Sequence, residues 1–182
     1  LDANAAATVT KGAAGNVSAW ADRLGAGTPV TQATAGRQPV LVPGALNGLP
    51  VVRFAGARYL NNATNYPAPV TIMYVGRLHG TANGRLVASN GNNWLLGYHG
   101  GWMDRAYFNG WVYGEPPNAA LNTVTTNFVT YAGVIPGAGS PSSFYRNGTL
   151  LGASLGGVTG PLGFELGGYN GANELSDGDI AE

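Results

Sequence analysis

The final six residues carry the acidic pattern that comes closest to a catalytic one. Glycoside hydrolysis uses two carboxylates that face one sugar, and alternate residues of a strand share a face. Asp177 and Asp179 alternate in this way, but the next residue on that face is Ala181, and Glu182 falls on the opposite face. In the segment 176–179 (SDGD) the pattern favours a turn over a catalytic or calcium-binding pair. We therefore assign no catalytic residue and expect no enzymatic activity, glycoside hydrolysis included.

The aromatic segment 92–114 is the strongest candidate for ligand binding. It holds seven aromatic residues, including three of the four tryptophans. Exposed flat rings stack on sugars, whereas buried rings fill a core. The predicted ligand-binding residues are Trp94, Trp102, Tyr107 and Trp111. Core or edge packing and a protein interface remain the alternatives, and because strand residues alternate between faces, different residues can serve different roles.

Metal-binding patterns are weak in this sequence. It contains no cysteine and only two histidines, His79 and His99, which are far apart. Asp22, Asp177 and Asp179 supply oxygens of the kind that calcium prefers. Asp22 precedes a glycine-rich loop, where an Asx-type turn is the main interpretation. We predict no cofactor, with calcium as the alternative, and no metal ligand set is defined.

Composition restricts the classes of partner. Nine basic and nine acidic residues give zero net charge, and only 10% of residues are charged. The arginines are scattered singly and form no basic run in the sequence, so we predict no nucleic-acid binding. The sequence contains no run of 18 apolar residues, so it predicts no membrane-spanning helix. Thirty glycines and a hydrophobic fraction of 45% favour a β-protein with many turns over a surface-helical one.

The elements that would position these residues are short strands. Six Asn-Gly pairs, a strong hairpin signal, separate strand-like runs at 17–22, 51–54, 70–78, 85–89, 94–98, 106–108, 128–135, 143–146, 149–152, 164–169 and 178–182. No window has sustained helical periodicity, and one short helical turn is expected at 33–37. The spacing predicts an all-β antiparallel sandwich, in a single domain over residues 1–182.

Six short segments, taken in order, resemble a known family. They are 1–3 (LDA), 20–23 (WADR), 37–39 (RQP), 46–54 (LNGLPVVRF), 144–148 (FYRNG) and 178–182 (GDIAE). Their order and spacing are similar to the laminin-G-like jelly-roll domains of the concanavalin A-like lectin/glucanase superfamily. The resemblance implies two curved antiparallel sheets packed face to face. It does not fix a function, since the superfamily includes lectins, hydrolases, lyases and adhesive modules.

Three functions follow as expectations from this resemblance. The first is a non-catalytic extracellular module, secreted or on a bacterial surface, that binds carbohydrate or mediates adhesion. The second is a structural subunit of a surface or fibre assembly. The third is a polysaccharide-active enzyme, since lyases of this fold use His, Tyr and Arg on the concave sheet, and His99, Arg105 and Tyr107 lie close together in the sequence.

The resemblance also yields an expectation for the last strand. In the family, the segment that matches 178–182 opens a long strand within a sheet. We expect that strand to be incomplete in residues 1–182. Either further polypeptide or a strand from a partner would then complete it by β-augmentation.

Overall fold

The computed structural model describes residues 1–12, 14–114, 122–171 and 173–182, which form two packed antiparallel sheets. Helix in this part of the chain is limited to two 3₁₀ turns, Ala6–Thr8 and Ala35–Arg37. The second of these is the predicted helical turn. Neither is long enough to cross a membrane. The predicted all-β antiparallel sandwich is confirmed.

The first sheet has nine strands in a continuous path and a tenth, β12, that pairs with β10. In spatial order they are β1 (Val9–Lys11), β2 (Val17–Trp20), β3 (Val30–Thr31), β6 (Leu60–Asn61), β16 (Phe164–Leu166), β8 (Val87–Ser89), β9 (Trp94–His99), β10 (Trp102–Phe108) and β11 (Val112–Tyr113), with β12 at Asn122–Thr123.

The second sheet has seven strands, with the last strand of the chain inside it. In spatial order they are β15 (Thr149–Ser154), β14 (Ser142–Arg146), β13 (Val129–Ile135), β7 (Val70–Asn83), β17 (Ser176–Ile180), β5 (Gly48–Phe54) and β4 (Val40–Gly44). The turn predicted for 176–179 is therefore wrong, because this segment pairs with strands on both sides. The strand predicted at 178–182 is confirmed over 178–180.

The core lies between the inner faces of the two sheets. Tyr98 of the first sheet meets Tyr131 of the second edge-on, with ring centroids 5.4 Å apart. The Tyr74 hydroxyl donates to the Leu96 carbonyl across the same interface at 2.9 Å. Alternate residues of β9 and β10 point into this core, so the intervening residues face outward from the first sheet.

The Asn-Gly pairs serve two different purposes. Four of them place both residues at positive φ, at Asn47, Asn109, Asn147 and Asn170 with their following glycines. In the pairs at 83–84 and 90–91, glycine is required for lack of space rather than for a positive φ. A Cβ on Gly84 would lie 1.9 Å from the Glu174 carbonyl oxygen, and one on Gly91 would lie 2.8 Å from that of Leu162. These two glycines allow the backbone segments that carry Glu174 and Leu162 to pack directly against the backbone at positions 84 and 91.

Candidate ligand-binding site

The outer face of the first sheet carries a small apolar cluster separate from the core. It consists of Ala88, Leu95 and Tyr107, with Tyr169 packed against them. The first three come from neighbouring strands β8, β9 and β10, and Tyr169 comes from the loop after β16. We call these four residues the outer-face cluster. An apolar surface on the outside of a sheet needs a cover or a ligand.

Arg85 fastens the covering loop to this face. Its guanidinium lies 4.0 Å from the centre of the Tyr169 ring and 5.5 Å from that of Tyr107. It also pairs with Glu174 and donates to the Asn93 side chain at 2.9 Å. Cation–π contacts of this kind are stronger where water is excluded, and Arg85 is only 4% exposed. The arginine therefore fixes the position of the loop and neutralises Glu174.

His99 connects this buried arrangement with the solvent. Its Nδ1 lies 3.1 Å from the Tyr107 hydroxyl, and its Nε2 lies 3.6 Å from a carboxylate oxygen of Glu174. The side chains of His99 and Glu174 are 25% and 38% exposed. Trp102 is the cross-strand partner of His99, so the two share the outer face. An aromatic ring and several hydrogen-bonding groups thus meet at one accessible edge.

The four predicted ligand-binding residues do not share a face. Trp94 is fully buried and stacks on Phe108 at 5.6 Å between ring centroids. Trp111 is half-buried and packs edge-on against the same Phe108 at 5.3 Å. Tyr107 belongs to the outer-face cluster, and Trp102 is half-buried beside His99. The structure brings together Tyr107 and Trp102 and directs Trp94 and Trp111 to the core.

Three further residues of this site were not indicated by the sequence: Arg85, Tyr169 and Glu174. Asn93 lies within the predicted segment 92–114 but was not among its predicted ligand-binding residues. Arg85 and Glu174 are 89 positions apart, and no short motif joins them. The close glycine at 84 was the one local signal, because it marks where the loop that carries Glu174 comes down on the sheet.

The acidic pair near the end of the chain is bound to structural partners. The Asp179 carboxylate is fully buried and accepts hydrogen bonds from Arg53 at 2.7 and 2.9 Å and from Arg77 at 2.9 Å. Burial alone would raise its pKa, but these arginine bonds outweigh burial and hold the pKa below the usual value. The Asp179 oxygens thus serve to join β5, β17 and β7.

Asp177 binds backbone rather than side chains. It accepts N–H bonds from Gly56 at 2.8 Å, Thr81 at 2.9 Å and Ala82 at 3.0 Å. Burial acts to raise its pKa, and these three bonds lower it below the usual value. The Asp177 carboxylate therefore has a structural role: it joins the backbone at Gly56 to the backbone at Thr81 and Ala82.

Asp22 forms the predicted Asx-type turn. Its side chain accepts the N–H groups of Leu24 at 3.1 Å, Ala26 at 3.0 Å and Gly27 at 3.1 Å. The Leu24 and Ala26 bonds lower the pKa of Asp22. In the described ranges, no group of three or more His, Asp and Glu side chains is placed to hold a metal ion. Glu115, another acid of the sequence, lies outside those ranges.

Comparisons with known proteins add no further identification. No protein-family model, no curated protein and no solved structure matches this chain. The relationship established by the coordinates is therefore architectural: the chain is an antiparallel two-sheet β-sandwich whose topology is compatible with a jelly roll.

Proposed function

We propose that this chain is a non-catalytic extracellular module that binds carbohydrate or mediates adhesion, and that the ligand lies on the outer face of the first sheet. The observation that carries this proposal is the accessible edge formed by Trp102, His99 and Glu174 above the outer-face cluster. A ring surface beside convergent polar groups is what a sugar requires, since each sugar has an apolar face and a rim of hydroxyls.

The charges of the site favour a neutral glycan. The Arg85 guanidinium is paired with Glu174 and covered by two rings, so it is not presented to an anionic ligand. Glu174, His99 and Asn93 remain at the accessible edge. These groups accept and donate hydrogen bonds to hydroxyls. The proposed ligand is therefore an uncharged oligosaccharide.

The two-sheet architecture supports assignment to the laminin-G-like jelly rolls. The final strand β17 lies between β7 and β5 in the second sheet, which agrees with the internal position expected for the segment 178–182. The extracellular or cell-surface location and the adhesive role belong to this same proposal. They are supported by the resemblance and by the low content of charged residues, 10%.

A glycan array followed by calorimetry tests the binding site. Trp102→Ala and His99→Ala should each weaken binding about tenfold or more. Both should leave the unfolding free energy within about 1 kcal/mol of the wild type, because neither side chain is fully buried. Met73→Ala, on the second sheet and 62% exposed, is the matched control and should bind normally. Normal binding by both site variants would remove the site from this proposal.

A polysaccharide-active enzyme is the second candidate, favoured by the 3.1 Å contact between Tyr107 and His99. A hydroxyl and an imidazole at this distance can exchange a proton, as elimination from an acidic sugar requires. The assay is the appearance of unsaturated product from uronate polysaccharides. Activity that disappears in Tyr107→Phe would favour the enzyme. No product from the wild type on such substrates leaves the binding module as the function.

A further inference from the structure

We propose that β15 (Thr149–Ser154) is a docking edge for a second copy of this chain, and that two copies pair antiparallel through it. The strand is the outermost one on its side of the second sheet. The inference follows from three features: an unprotected strand edge, apolar side chains exposed along it, and a register in which the strand is complementary to itself. It concerns self-association and does not depend on the carbohydrate site.

β15 has a partner on one side only. It pairs with β14 from Thr149 opposite Arg146 to Ser154 opposite Ser142. Among the described residues, no further strand lies beyond it, and no backbone hydrogen bond reaches its far side. Alternate residues of an edge strand direct N–H and C=O groups to that side. The six residues 149–154 therefore offer a ladder of hydrogen-bonding groups to a second strand.

The other edges that the described strands form are protected. β4, at the opposite edge of the second sheet, contains Pro43, and its Leu41 N–H donates to the Gly15 carbonyl at 3.4 Å. In the first sheet, β1 has three residues and ends in Lys11, and β11 has two residues. Prolines, charged residues and short strands prevent pairing at an edge. β15, with the sequence TLLGAS, has no proline and no charge.

The side chains along this edge are apolar and exposed. Leu150 is 52% exposed, and Leu155, directly after the strand, is 68% exposed. Between Arg146 and Glu165 the sequence has no charged residue, and the net charge of the chain is zero. Two copies that approach through β15 therefore meet no like charges. This lack of charge makes a second copy a suitable occupant of the edge.

Leu150 and Ala153 share the outer face of the second sheet. They lie opposite Tyr145 and Ser143 of β14, which are two positions apart and so point to the same side. The intervening Phe144 belongs to the core, so that side is the outer one. Leu150 and Ala153 are three positions apart, because the register of β14 and β15 shifts by one residue between Phe144 and Tyr145.

This spacing makes β15 complementary to itself. An antiparallel pair preserves the faces of a sheet only if residues on the same face lie opposite each other. Leu150 of one copy opposite Ala153 of the second copy meets this condition, and the two-fold axis then passes between Leu151 and Gly152. A large side chain thus lies beside a small one at two equivalent places. The two seven-stranded sheets become one continuous sheet.

The contact is small, so the expected dimer is weak. One pair of strands covers much less than the roughly 1,200–2,000 Å² of a stable interface. The dimer should therefore be dissociated at about 1 μM protein and should form as the concentration approaches about 1 mM. Sedimentation velocity over this range measures it. A protein that stays monomeric throughout would overturn the proposal, and so would open-ended polymers, because a two-fold interface closes on itself.

Lysine substitutions locate the interface. Leu150→Lys places a charge on the pairing edge and should weaken dimerisation about tenfold or more. Leu49→Lys is the matched control, because Leu49 is 48% exposed and lies on β5 of the same sheet. It adds the same charge and should dimerise as the wild type does. Equal effects of the two substitutions, or normal dimerisation of Leu150→Lys, would contradict pairing through β15.

Cysteine cross-linking tests the register, because the chain has no cysteine of its own. Opposite residues of an antiparallel pair have Cα atoms about 4.5–5.5 Å apart, a distance that a disulfide spans. A mixture of Leu150→Cys and Ala153→Cys should therefore oxidise to a mixed dimer. In either variant alone, the two cysteines lie about 10 Å apart along the strands, so cross-linking should be about tenfold slower or more.

Mass spectrometry identifies the cross-linked products. A mixture of Leu150→Cys and Leu49→Cys gives the background from random collision. All three positions are exposed, so the variants should fold as the wild type does. Cross-linking of Leu150→Cys with Ala153→Cys at this background rate, or no faster than that of the single variants, would overturn the proposal.

Discussion

Asp179 shows how a single buried charge can connect three strands. Its carboxylate is fully buried, and Arg53 and Arg77 hold it from the strands on either side, with His79 Nε2 at 3.4 Å. Removal of one partner from such a group leaves charges without compensation. The two arginines are 33% and 24% exposed, so water reduces the loss but does not remove it.

Acid should weaken the protein through this carboxylate. The folded-state pKa of Asp179 lies below the unfolded value of about 4. Its ion pairs therefore stabilise the fold fully above that value, and the stabilisation is lost as the pH falls through the folded pKa. Asp179→Asn should cost about 2–4 kcal/mol at pH 7. It should lose less stability than the wild type as the pH falls from about 5, roughly one unit above the unfolded pKa, through the folded pKa.

Urea unfolding at several pH values measures both effects. The control is Asp2→Asn, because Asp2 pairs at 3.5 Å with Arg23, whose side chain is 73% exposed. Exposed pairs contribute little, so this variant should follow the wild type at every pH. Parallel acid profiles for Asp179→Asn and the wild type would show that another group controls acid unfolding.

Two core tyrosines form a matched pair for measuring the contribution of a buried hydroxyl. The Tyr131 hydroxyl donates to the Asp104 carboxylate at 2.9 Å and accepts the Asp104 N–H at 3.2 Å. The Tyr98 ring packs against the Tyr131 ring, but the Tyr98 hydroxyl has no hydrogen-bond partner within the described ranges. Burial raises the pKa of both tyrosines, so both hydroxyls stay protonated at neutral pH.

Tyr131→Phe should therefore destabilise the protein by about 1–3 kcal/mol, and Tyr98→Phe should be nearly neutral or slightly stabilising. Chemical denaturation of the two variants beside the wild type is sufficient, since each change removes one oxygen and keeps the ring. Equal losses would mean that the Asp104 contact contributes nothing beyond packing.

At the scale of the element, the hairpin between β14 and β15 depends on its two turn residues. Asn147 and Gly148 have φ angles of 49° and 79° between the paired residues Arg146 and Thr149, as a type I′ turn requires. The Asn147 side chain also accepts the Thr130 N–H at 2.9 Å, which joins the turn to β13. The turn therefore fixes the register of three strands.

Gly148→Ala should destabilise the protein by about 1 kcal/mol or more, because alanine is strained at this positive φ. The control is Gly36→Ala, in the 3₁₀ turn Ala35–Arg37, where an added Cβ meets nothing within 4 Å and φ is not positive. That variant should be neutral or stabilised by a few tenths of a kcal/mol. Thermal unfolding compares the two, and a larger loss in Gly36→Ala would contradict the turn argument.

The sequence predicted where strands lie along the chain better than it predicted which strands pair with one another. Alternation and Asn-Gly turns located most of the longer strands, because both signals are local, but they missed β4 at Val40–Gly44 and the first half of β10. Two-residue strands such as Val30–Thr31 and Leu60–Asn61 were missed, since pairing partners far along the chain define them. The turn predicted at 176–179 failed for the same reason: its Asp-Gly-Asp residues are turn formers, but pairing with β5 and β7 decides their conformation.

The candidate site was only partly accessible to sequence reasoning. Trp102 and Tyr107 were predicted, and their shared face with His99 follows from strand alternation and the β9–β10 register. Whether Trp94 packs in the core depends on which face of β9 points to the other sheet. The sequence does not show which face this is, because β9 is apolar and buried at every position from Trp94 to Tyr98. Contacts such as Arg85 with Glu174 depend on loop placement.

For the molecule as a whole, contact between the two sheets depends on the absence of a side chain at Gly97. This residue of β9 has a φ of 101°. A Cβ there would lie 2.2 Å from the Tyr74 hydroxyl oxygen and 2.6 Å from a Tyr131 ring carbon. Those two tyrosines belong to the opposite sheet, so the added carbon would push the layers apart.

Gly97→Ala should lower the unfolding free energy by about 3 kcal/mol or more, since overpacking adds to backbone strain. Gly100→Ala is the matched control, with a φ of 60° and open space around the added Cβ, so it should show the strain alone. Calorimetric unfolding separates the two contributions. A loss in Gly97→Ala no greater than that in Gly100→Ala would show that the sheets can adjust to the extra carbon.

The Asn-Gly turns also determine how the protein ages chemically. Asparagine before glycine deamidates readily, because the glycine nitrogen can attack the side-chain amide and release ammonia, and heat accelerates such losses. In Asn147 the amide oxygen is held by the Thr130 N–H, which restrains the side chain from that attack. Asn47 is exposed in its turn. Mass spectrometry of stored protein should therefore detect isoaspartate at position 47 before position 147, and partial unfolding should remove the difference.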